Sequence, residues 1–161
     1  MTLTATPEPF APFLEEVAPL LPRHYLELAL DQDHVPLDPC FEEYHRLDAL
    51  GRILVVTLRE KGELVGYFVG FIGPALHYRT LLQLSLDIFW VAPEHRGKMG
   101  GFILFKAVER EARRRGVGRF FVGSKLHKDA SWLFEKLGYT EVERYYSKTF
   151  FEEVPIMQAA E

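Results

Sequence analysis

The sequence is poor in cysteine, has no long apolar run and carries no excess of positive charge. Cys40 is the single cysteine in 161 residues, which excludes an intrachain disulfide. It lies in a Leu-Asp-Pro-Cys turn without a histidine or aspartate immediately beside it, and we interpret it as an ordinary thiol. The longest apolar stretch, residues 64–72, is broken by glycines and falls well short of the roughly 20 residues of a membrane span. We predict no membrane-spanning helix.

The N-terminus and the charge balance narrow the function classes further. Residues 1–7 lack the basic start and apolar run of a secretory signal, so we expect the chain to stay in the cytosol. The formal net charge is −4, from 19 Lys and Arg against 23 Asp and Glu. That balance argues against broad nucleic-acid binding, which depends on cations that neutralise phosphates.

One segment, residues 94–119, is basic despite the acidic whole. It favours a small anionic ligand, although a solvated helix face with the pairs Glu109–Arg113 and Glu111–Arg115 is an alternative. Nucleic-acid binding through the arginines at 113–115 is a weaker third interpretation. The cations of the segment are Arg96, Lys98, Lys106, Arg110, Arg113, Arg114, Arg115 and Arg119.

The spacing of apolar residues predicts one α/β domain, with helices in residues 1–50 and a sheet in residues 51–161. Helical spacing runs through 9–30, where Pro19 and Pro22 break it, and through 41–50, where Gly51 ends it. Strands are predicted at 53–58 and 64–72 as a hairpin with a Lys61-Gly62 turn, and then at 82–91, 119–122 and 141–148. Further helices are predicted at 100–115 and from an Asp129 N-cap to Gly138.

This order predicts a mixed, largely antiparallel sheet flanked by helices. Strand 82–91 alternates, with Leu82, Leu84, Leu86, Ile88 and Trp90 on one face and Gln83, Ser85, Asp87, Phe89 and Val91 on the other. A ligand is expected where its carboxyl end meets the amino end of the next helix.

The turn between that strand and helix is rich in glycine. Gly97, Gly100 and Gly101 fall within five residues, beside Arg96 and Lys98, and uncovered amides at a helix N-terminus bind phosphate oxygens. Ordinary turn chemistry is the alternative. The glycine spacing fits neither a Walker loop nor a dinucleotide fingerprint.

Two motifs resemble one family. Residues 87–101 resemble motif A of the GCN5-related N-acetyltransferases (GNAT), Gln/Arg-x-x-Gly-x-Gly/Ala, with Arg96 first and Gly101 last. Residues 130–139, Ala-Ser-Trp-Leu-Phe-Glu-Lys-Leu-Gly-Tyr, resemble the family's Ala-x-x-Leu-Tyr-Glu-Lys-Leu-Gly-Phe segment. Two short segments are similar to segments of acetyltransferases encoded by phages and prophages: Leu-His-Tyr-Arg at 76–79 and Tyr-Ser-Lys at 146–148.

The resemblance implies a GNAT fold with two splayed parallel strands at the cofactor site, acetyl-CoA as co-substrate and no metal. The backbone of Phe89, Trp90 and Val91 would pair with the pantetheine arm like an added strand. Met99 replaces the middle glycine of the motif, and Gly100 would restore the turn. The pyrophosphate would lie on the backbone of Arg96, Gly97, Lys98, Met99, Gly100, Gly101 and Phe102.

The sequence indicates the catalytic residues less specifically than it indicates the cofactor turn. Asp87 is the predicted base for the amine, with a solvated strand residue or a water relay as alternatives. Phe134 replaces the family's usual acid, a tyrosine, so Tyr145, Tyr146 or His127 would protonate the thiolate, or it leaves unaided. His127 would also contact the CoA arm, unless it is a plain loop residue.

The acceptor is predicted only as a primary amine, on a small molecule, peptide or protein. His77, Tyr78 and Asp87 are its candidate binding residues, and a plain polar connection is the alternative for the first two. A non-catalytic CoA-binding accessory protein remains open because of Phe134. A homodimer is possible, since this fold exposes strand edges.

Overall fold

The structure is a computed structural model that describes residues 2–97 and 99–150, and a five-stranded sheet organises it. Its strands are β1 (Leu3–Pro7), β2 (Ile53–Glu60), β3 (Glu63–Ala75), β4 (Tyr78–Val91) and β5 (Arg119–Phe121). Its helices are α1 (Phe10–Val17), α2 (Leu21–Leu28), α3 (Phe41–Ala49), α4 (Pro93–Arg96), α5 (Gly100–Arg114) and α6 (Ser131–Lys136), and a short 3₁₀ turn, Ala18–Leu20, joins the first two.

The sheet has the predicted mixed character. Its strand order follows the chain from β1 to β5, and all neighbours are antiparallel except β4 and β5, which are parallel. The predicted hairpin of β2 and β3 is confirmed, with Glu60 opposite Glu63 across the Lys61-Gly62 turn. The chain between β4 and β5 crosses over through α5, as a parallel pair requires.

Strand β1 was not predicted, because the first third of the chain reads as helical. Leu3–Pro7 is a short edge strand with only one buried residue, Ala5, and its pairing partners in β2 lie 49 to 57 positions further along the chain. A sequence pattern does not report such a tertiary partner.

A β-bulge interrupts β4 at Asp87. Ile88 lies opposite Val69 and Leu86 lies opposite Gly70, so Asp87 is an extra residue in the ladder. The predicted alternation is therefore wrong beyond this point, because a bulge moves every later side chain to the other face. The two aromatic residues that follow show the change, since Phe89 packs on Phe105 of α5 whereas Trp90 stacks on His24 of α2.

Strands β4 and β5 separate soon after they meet. Only Gln83, Leu84 and Ser85 pair with β5, opposite Arg119–Phe121, whereas β4 continues to Val91. Residues 86–91 thus have β3 on one side and no strand on the other among the described residues. This is the splay that the family resemblance implied.

The core lies on both faces of the sheet. On one face Phe105 of α5 is fully buried among Phe68, Phe89 and Phe134. Replacing a phenyl ring buried in this way with a methyl group costs about 3–5 kcal/mol. On the other face α1 and α2 cover Tyr67.

The last predicted strand is wrong. Residues 141–148 form neither helix nor strand. Alternating residues form a strand only where a neighbour supplies hydrogen bonds and a face to cover, and here Val142 and Tyr145 remain 73% and 85% exposed. Helix α6 begins at Ser131 with Ala130 at its N-cap, so the predicted N-cap at Asp129 is wrong by one residue. The Asp129 Oδ1 still accepts from the Ser131 amide at 3.0 Å.

The basic end of α5 forms ion pairs on its own surface. The predicted pair Glu111–Arg115 is present at 2.8 Å, and Glu111 also accepts from Arg114. Glu109 contacts Lys106 at 3.2 Å instead of the predicted Arg113.

Within residues 2–97 and 99–150, none of the helices combines the length and the apolar composition that crossing a bilayer would require. The same residues contain no group of three His, Cys, Asp or Glu side chains arranged to hold a metal ion.

Candidate functional site

A cavity of about 520 Å³ opens where β4 and β5 separate. Helices α1 and α2 and residues 36–44 form one wall, and β4 with residues 123–133 forms the other. Its volume is in the range of small-molecule and cofactor sites. The splay leaves this space open, because β5 pairs only with residues 83–85 of β4. The bulge adds Asp87 to the strand, and this residue lines the cavity.

The glycine-rich turn leads into this cavity at the start of α5. Met99 precedes the helix with φ +68°, the left-handed conformation that favours glycine. This explains why the motif places a glycine at the Met99 position. The expectation that Gly100 would restore the turn is wrong, because Gly100 is already helical.

Gly100 is required for a different reason. A Cβ atom built on it would lie 2.7 Å from the carbonyl oxygen of His95, closer than real Cβ contacts. Its glycine therefore allows α4 and α5 to approach each other backbone to backbone. A Cβ atom built on Gly101 would instead lie 2.8 Å from a side-chain methyl of Leu133, and that side chain can move.

The first turn of α5 provides free amide donors. Met99 contributes no side-chain cap, and the first internal bond runs from the Ile103 amide to the Met99 carbonyl at 2.9 Å. The initial amides of a helix have no acceptor within the helix, and they carry the positive end of its dipole. Because Gly101 lines the cavity, this turn can bind an anionic group there.

The predicted cofactor residues divide into three sets. Five of them line the cavity: Phe89, Trp90, Val91, Arg96 and Gly101. Gly97, Met99, Gly100 and Phe102 shape the turn and the start of α5 without forming the cavity wall. Lys98 lies outside the described residues.

A charged network anchored on Glu27 spans the cavity mouth. The Glu27 carboxylate pairs with Arg96 and, at 2.9 Å, with Lys128, and it accepts from the Trp90 indole at 3.0 Å. Desolvation raises the pKa of Glu27, but the Lys128, Trp90 and Arg96 contacts prevail and lower it to about 2. Arg96 also donates to the Val91 carbonyl at 2.7 Å, so its side chain is held against the end of β4.

Asp87 projects into the cavity at the bulge. Its side chain is accessible through the opening, and Tyr44 of α3 donates to its Oδ2 at 2.6 Å. The surrounding cavity walls desolvate the carboxylate and raise its pKa, although the Tyr44 hydrogen bond acts in the opposite direction. A raised pKa makes a carboxylate a better proton acceptor.

Aromatic side chains surround Asp87. Tyr44 stacks on Phe10 with centroids 5.8 Å apart, and Tyr67 packs against Phe13 at 5.3 Å. The Tyr67 hydroxyl lies 2.7 Å from Nδ1 of His24. Burial lowers the pKa of His24, so this imidazole is neutral at physiological pH.

Sequence analysis missed Tyr44, Tyr67, His24 and Glu27. Their hydrogen bonds, His24–Tyr67, Tyr44–Asp87 and Glu27–Trp90, each join residues at least 43 positions apart in the chain. None of these four residues belongs to a motif. A single sequence carries no signal for such pairs.

The remaining predicted residues do not line the cavity. His127 is exposed in the turn between Lys125 and Lys128, and Tyr145 and Tyr146 are 85% and 90% exposed. The cavity wall, as far as the structure describes it, includes none of the three. Phe134 is buried against Phe89 at 6.0 Å, as a packing residue.

The β3–β4 turn holds His77 and Tyr78 at the opposite end of β4. Nine residues separate Tyr78 from Asp87, which is roughly 30 Å along an extended strand. Within a single chain, His77 and Tyr78, two of the predicted acceptor-binding residues, therefore do not lie beside Asp87.

Comparison with protein families agrees with this architecture. The model of the acetyltransferase (GNAT) family matches residues 14–139. No curated protein sequence matches the chain.

Solved structures share the fold at low identity. An aminoglycoside acetyltransferase, HMB0005, from an uncultured soil metagenomic sample has a TM-score of 0.71 at 19% identity, covering 93% of this chain and 99% of that one. A ribosomal-protein-alanine N-acetyltransferase from Brucella melitensis biovar Abortus 2308 has 0.71 at 20%, with the same coverages. AAC(6')-Iy, in complex with the bisubstrate analog CoA-S-monomethyl-acetylneamine, has 0.65 at 16%, covering 93% and 100%.

Proposed function

From the premise that this chain belongs to the acetyltransferase (GNAT) family and is an N-acetyltransferase, we propose that it transfers an acetyl group from acetyl-CoA to a primary amine by direct attack on the thioester. The observation that carries the proposal is the position of Asp87. It lies at the bulge of β4 and lines the same cavity as Gly101 of the α5 N-terminus. A proton acceptor and an anion-binding helix end therefore share one cavity.

The described residues fit acetyl-CoA as a co-substrate. The first amides of α5 would hold its diphosphate, and the unpaired edge of residues 86–91 would bond the amides of the pantetheine arm. The apolar wall at Leu133 and Phe89 suits the methylene groups of that arm. The acetyl group would then lie beside Asp87.

Asp87 would activate the acceptor. Its carboxylate takes a proton from the ammonium group, and the freed lone pair forms a C–N bond to the thioester carbonyl carbon. The C–S bond breaks, its electron pair leaves with the CoA thiolate, and the nitrogen releases its second proton to water as the amide forms. Tyr44 would hold the carboxylate in place through its hydrogen bond.

The thiolate has no obvious acid among the residues that line the cavity. Phe134 cannot donate a proton, and none of His127, Tyr145 and Tyr146 lines the cavity. We therefore favour departure of the thiolate without a side-chain acid from the described residues.

Transfer of a labelled acetyl group tests the function. Wild-type protein, labelled acetyl-CoA and a set of primary amines should give labelled amide, and calorimetry should show acetyl-CoA binding. Binding without transfer to any amine would instead support the accessory-protein alternative, which the missing acid at Phe134 favours. Absence of both would end the proposal.

A further inference from the structure

We propose that the acceptor is a monoamine carried on an aryl or alkyl body, and not a polycation such as a polyamine or an aminoglycoside. This inference rests on the proposed function and names the substrate class of the same cavity. It departs from the structural neighbours that are aminoglycoside acetyltransferases.

The wall opposite β4 is mainly apolar. Helices α1 and α3 and the segment before α3 present aromatic and aliphatic side chains to the cavity that Asp87 lines. The ring pairs Phe10–Tyr44 and Phe13–Tyr67 belong to this lining, and Tyr44 contacts the Asp87 carboxylate directly. The apolar residues of this wall include Phe10, Phe13, Leu14, Leu37 and Phe41.

Few carboxylates in the cavity are available to a cationic ligand. Four line it, and two of them are already engaged. Glu27 is paired with Arg96 and Lys128, and Asp129 accepts from Ser124 and Ser131. Asp87 and Asp38 remain, with Asp87 next to the aromatic pairs.

The cations of the cavity add to this selectivity. Arg96, Lys125 and Lys128 lie on its wall, so beyond Asp87 and Asp38 the ammonium groups of a polycation would meet positive charge or hydrocarbon. Desolvating an ammonium group without a partner is costly. One ammonium group at Asp87, followed by an apolar body, matches this carboxylate and the apolar side chains of the wall.

Competition between acceptors tests the inference directly. Phenethylamine, ethylamine, spermidine and kanamycin are compared at one acetyl-CoA concentration. The kcat/KM for phenethylamine should exceed that for ethylamine roughly tenfold, because the phenyl ring gains a hydrophobic site. It should exceed the values for spermidine and kanamycin by a similar or larger factor.

A variant locates the effect in the cavity. Phe41 lines it and is 39% exposed, so Phe41→Ser should fold. It should lower the preference for phenethylamine over ethylamine roughly fivefold, through KM, and leave acetyl-CoA binding unchanged. Phe150→Ser is the matched control, because Phe150 is 52% exposed and does not line the cavity.

The outcomes separate this inference from the function itself. Faster acetylation of spermidine or kanamycin than of phenethylamine overturns the inference and leaves the acetyltransferase function standing. Acetyl-CoA binding with no transfer to phenethylamine overturns it as well. An unchanged preference in Phe41→Ser with intact folding also contradicts it, and failure to bind acetyl-CoA removes both.

Discussion

The hydroxyl of Tyr44 donates a hydrogen bond of 2.6 Å to Oδ2 of Asp87, which joins α3 to the bulge of β4. Burial raises the pKa of Tyr44, so the phenol stays protonated and acts as a donor throughout the physiological pH range. The bond holds the carboxylate toward the cavity while its own pKa stays raised. This pair is the basis of the mechanism proposed above.

Asp87→Asn removes the proton acceptor and keeps the shape of the side chain. We expect kcat/KM to fall roughly 10²- to 10³-fold, the range of a general base. The Kd for acetyl-CoA should stay unchanged, since the cofactor is held by main chain. Turnover equal to wild type would show that Asp87 is not the base.

Tyr44→Phe removes the hydrogen bond that stabilises the Asp87 carboxylate. The pKa of Asp87 should rise further, because this bond lowers it in the wild type. The acidic limb of the pH profile of kcat/KM should therefore move to higher pH. A limb at the wild-type position, in a variant with a normal melting temperature, would contradict the assignment.

Met99→Gly should stabilise the protein. Met99 has φ +68° and a side chain that is 59% exposed, so glycine relieves backbone strain and loses little packing. The free energy of unfolding should increase by about 1 kcal/mol, measured by denaturant titration.

The neighbouring substitution should act in the opposite direction. In Gly100→Ala the new Cβ meets the His95 carbonyl oxygen at 2.7 Å, and neither atom can move unless its backbone moves. The protein should lose about 2 kcal/mol of stability and bind acetyl-CoA more weakly, because the first turn of α5 must shift. A neutral Gly100→Ala would show that α4 and α5 are not this close.

Glu27→Gln tests the network at the cavity mouth through acid stability. The folded pKa of Glu27 is about 2, below its ordinary 4.5, so its carboxylate stabilises the fold above 4.5 and loses that effect as the pH falls toward 2. The variant should be roughly 2 kcal/mol less stable than wild type at pH 7. The difference should shrink between pH 4.5 and pH 2, and a constant difference across that range would contradict the ion pairs.

The sequence predicted the sheet and the glycine-rich turn before α5 because their signals are local. The Lys61-Gly62 turn, the helix at residues 100–115 and the motif beginning at Arg96 each depend on residues close together in the chain. The sequence did not indicate the bulge at Asp87, because an alternating strand and a bulged strand can have the same composition. It depends on the register against β3, which only tertiary structure fixes.

The aromatic wall of the cavity around Asp87 could not be predicted for a related reason. Phe10, Phe13 and Tyr44 have the spacing of ordinary amphipathic helices, and only the fold places them around a carboxylate far along the chain. Conversely, 141–148 carries a strand-like pattern but has no neighbouring strand in the described part of the chain.

Amide hydrogen exchange with and without acetyl-CoA tests the central claim most directly, because the proposed contacts are main-chain amides. Added acetyl-CoA should slow exchange in residues 86–91 and in the first turn of α5, and leave β1 and β2 unchanged. Bound acetyl-CoA with no added protection in either segment would contradict the account.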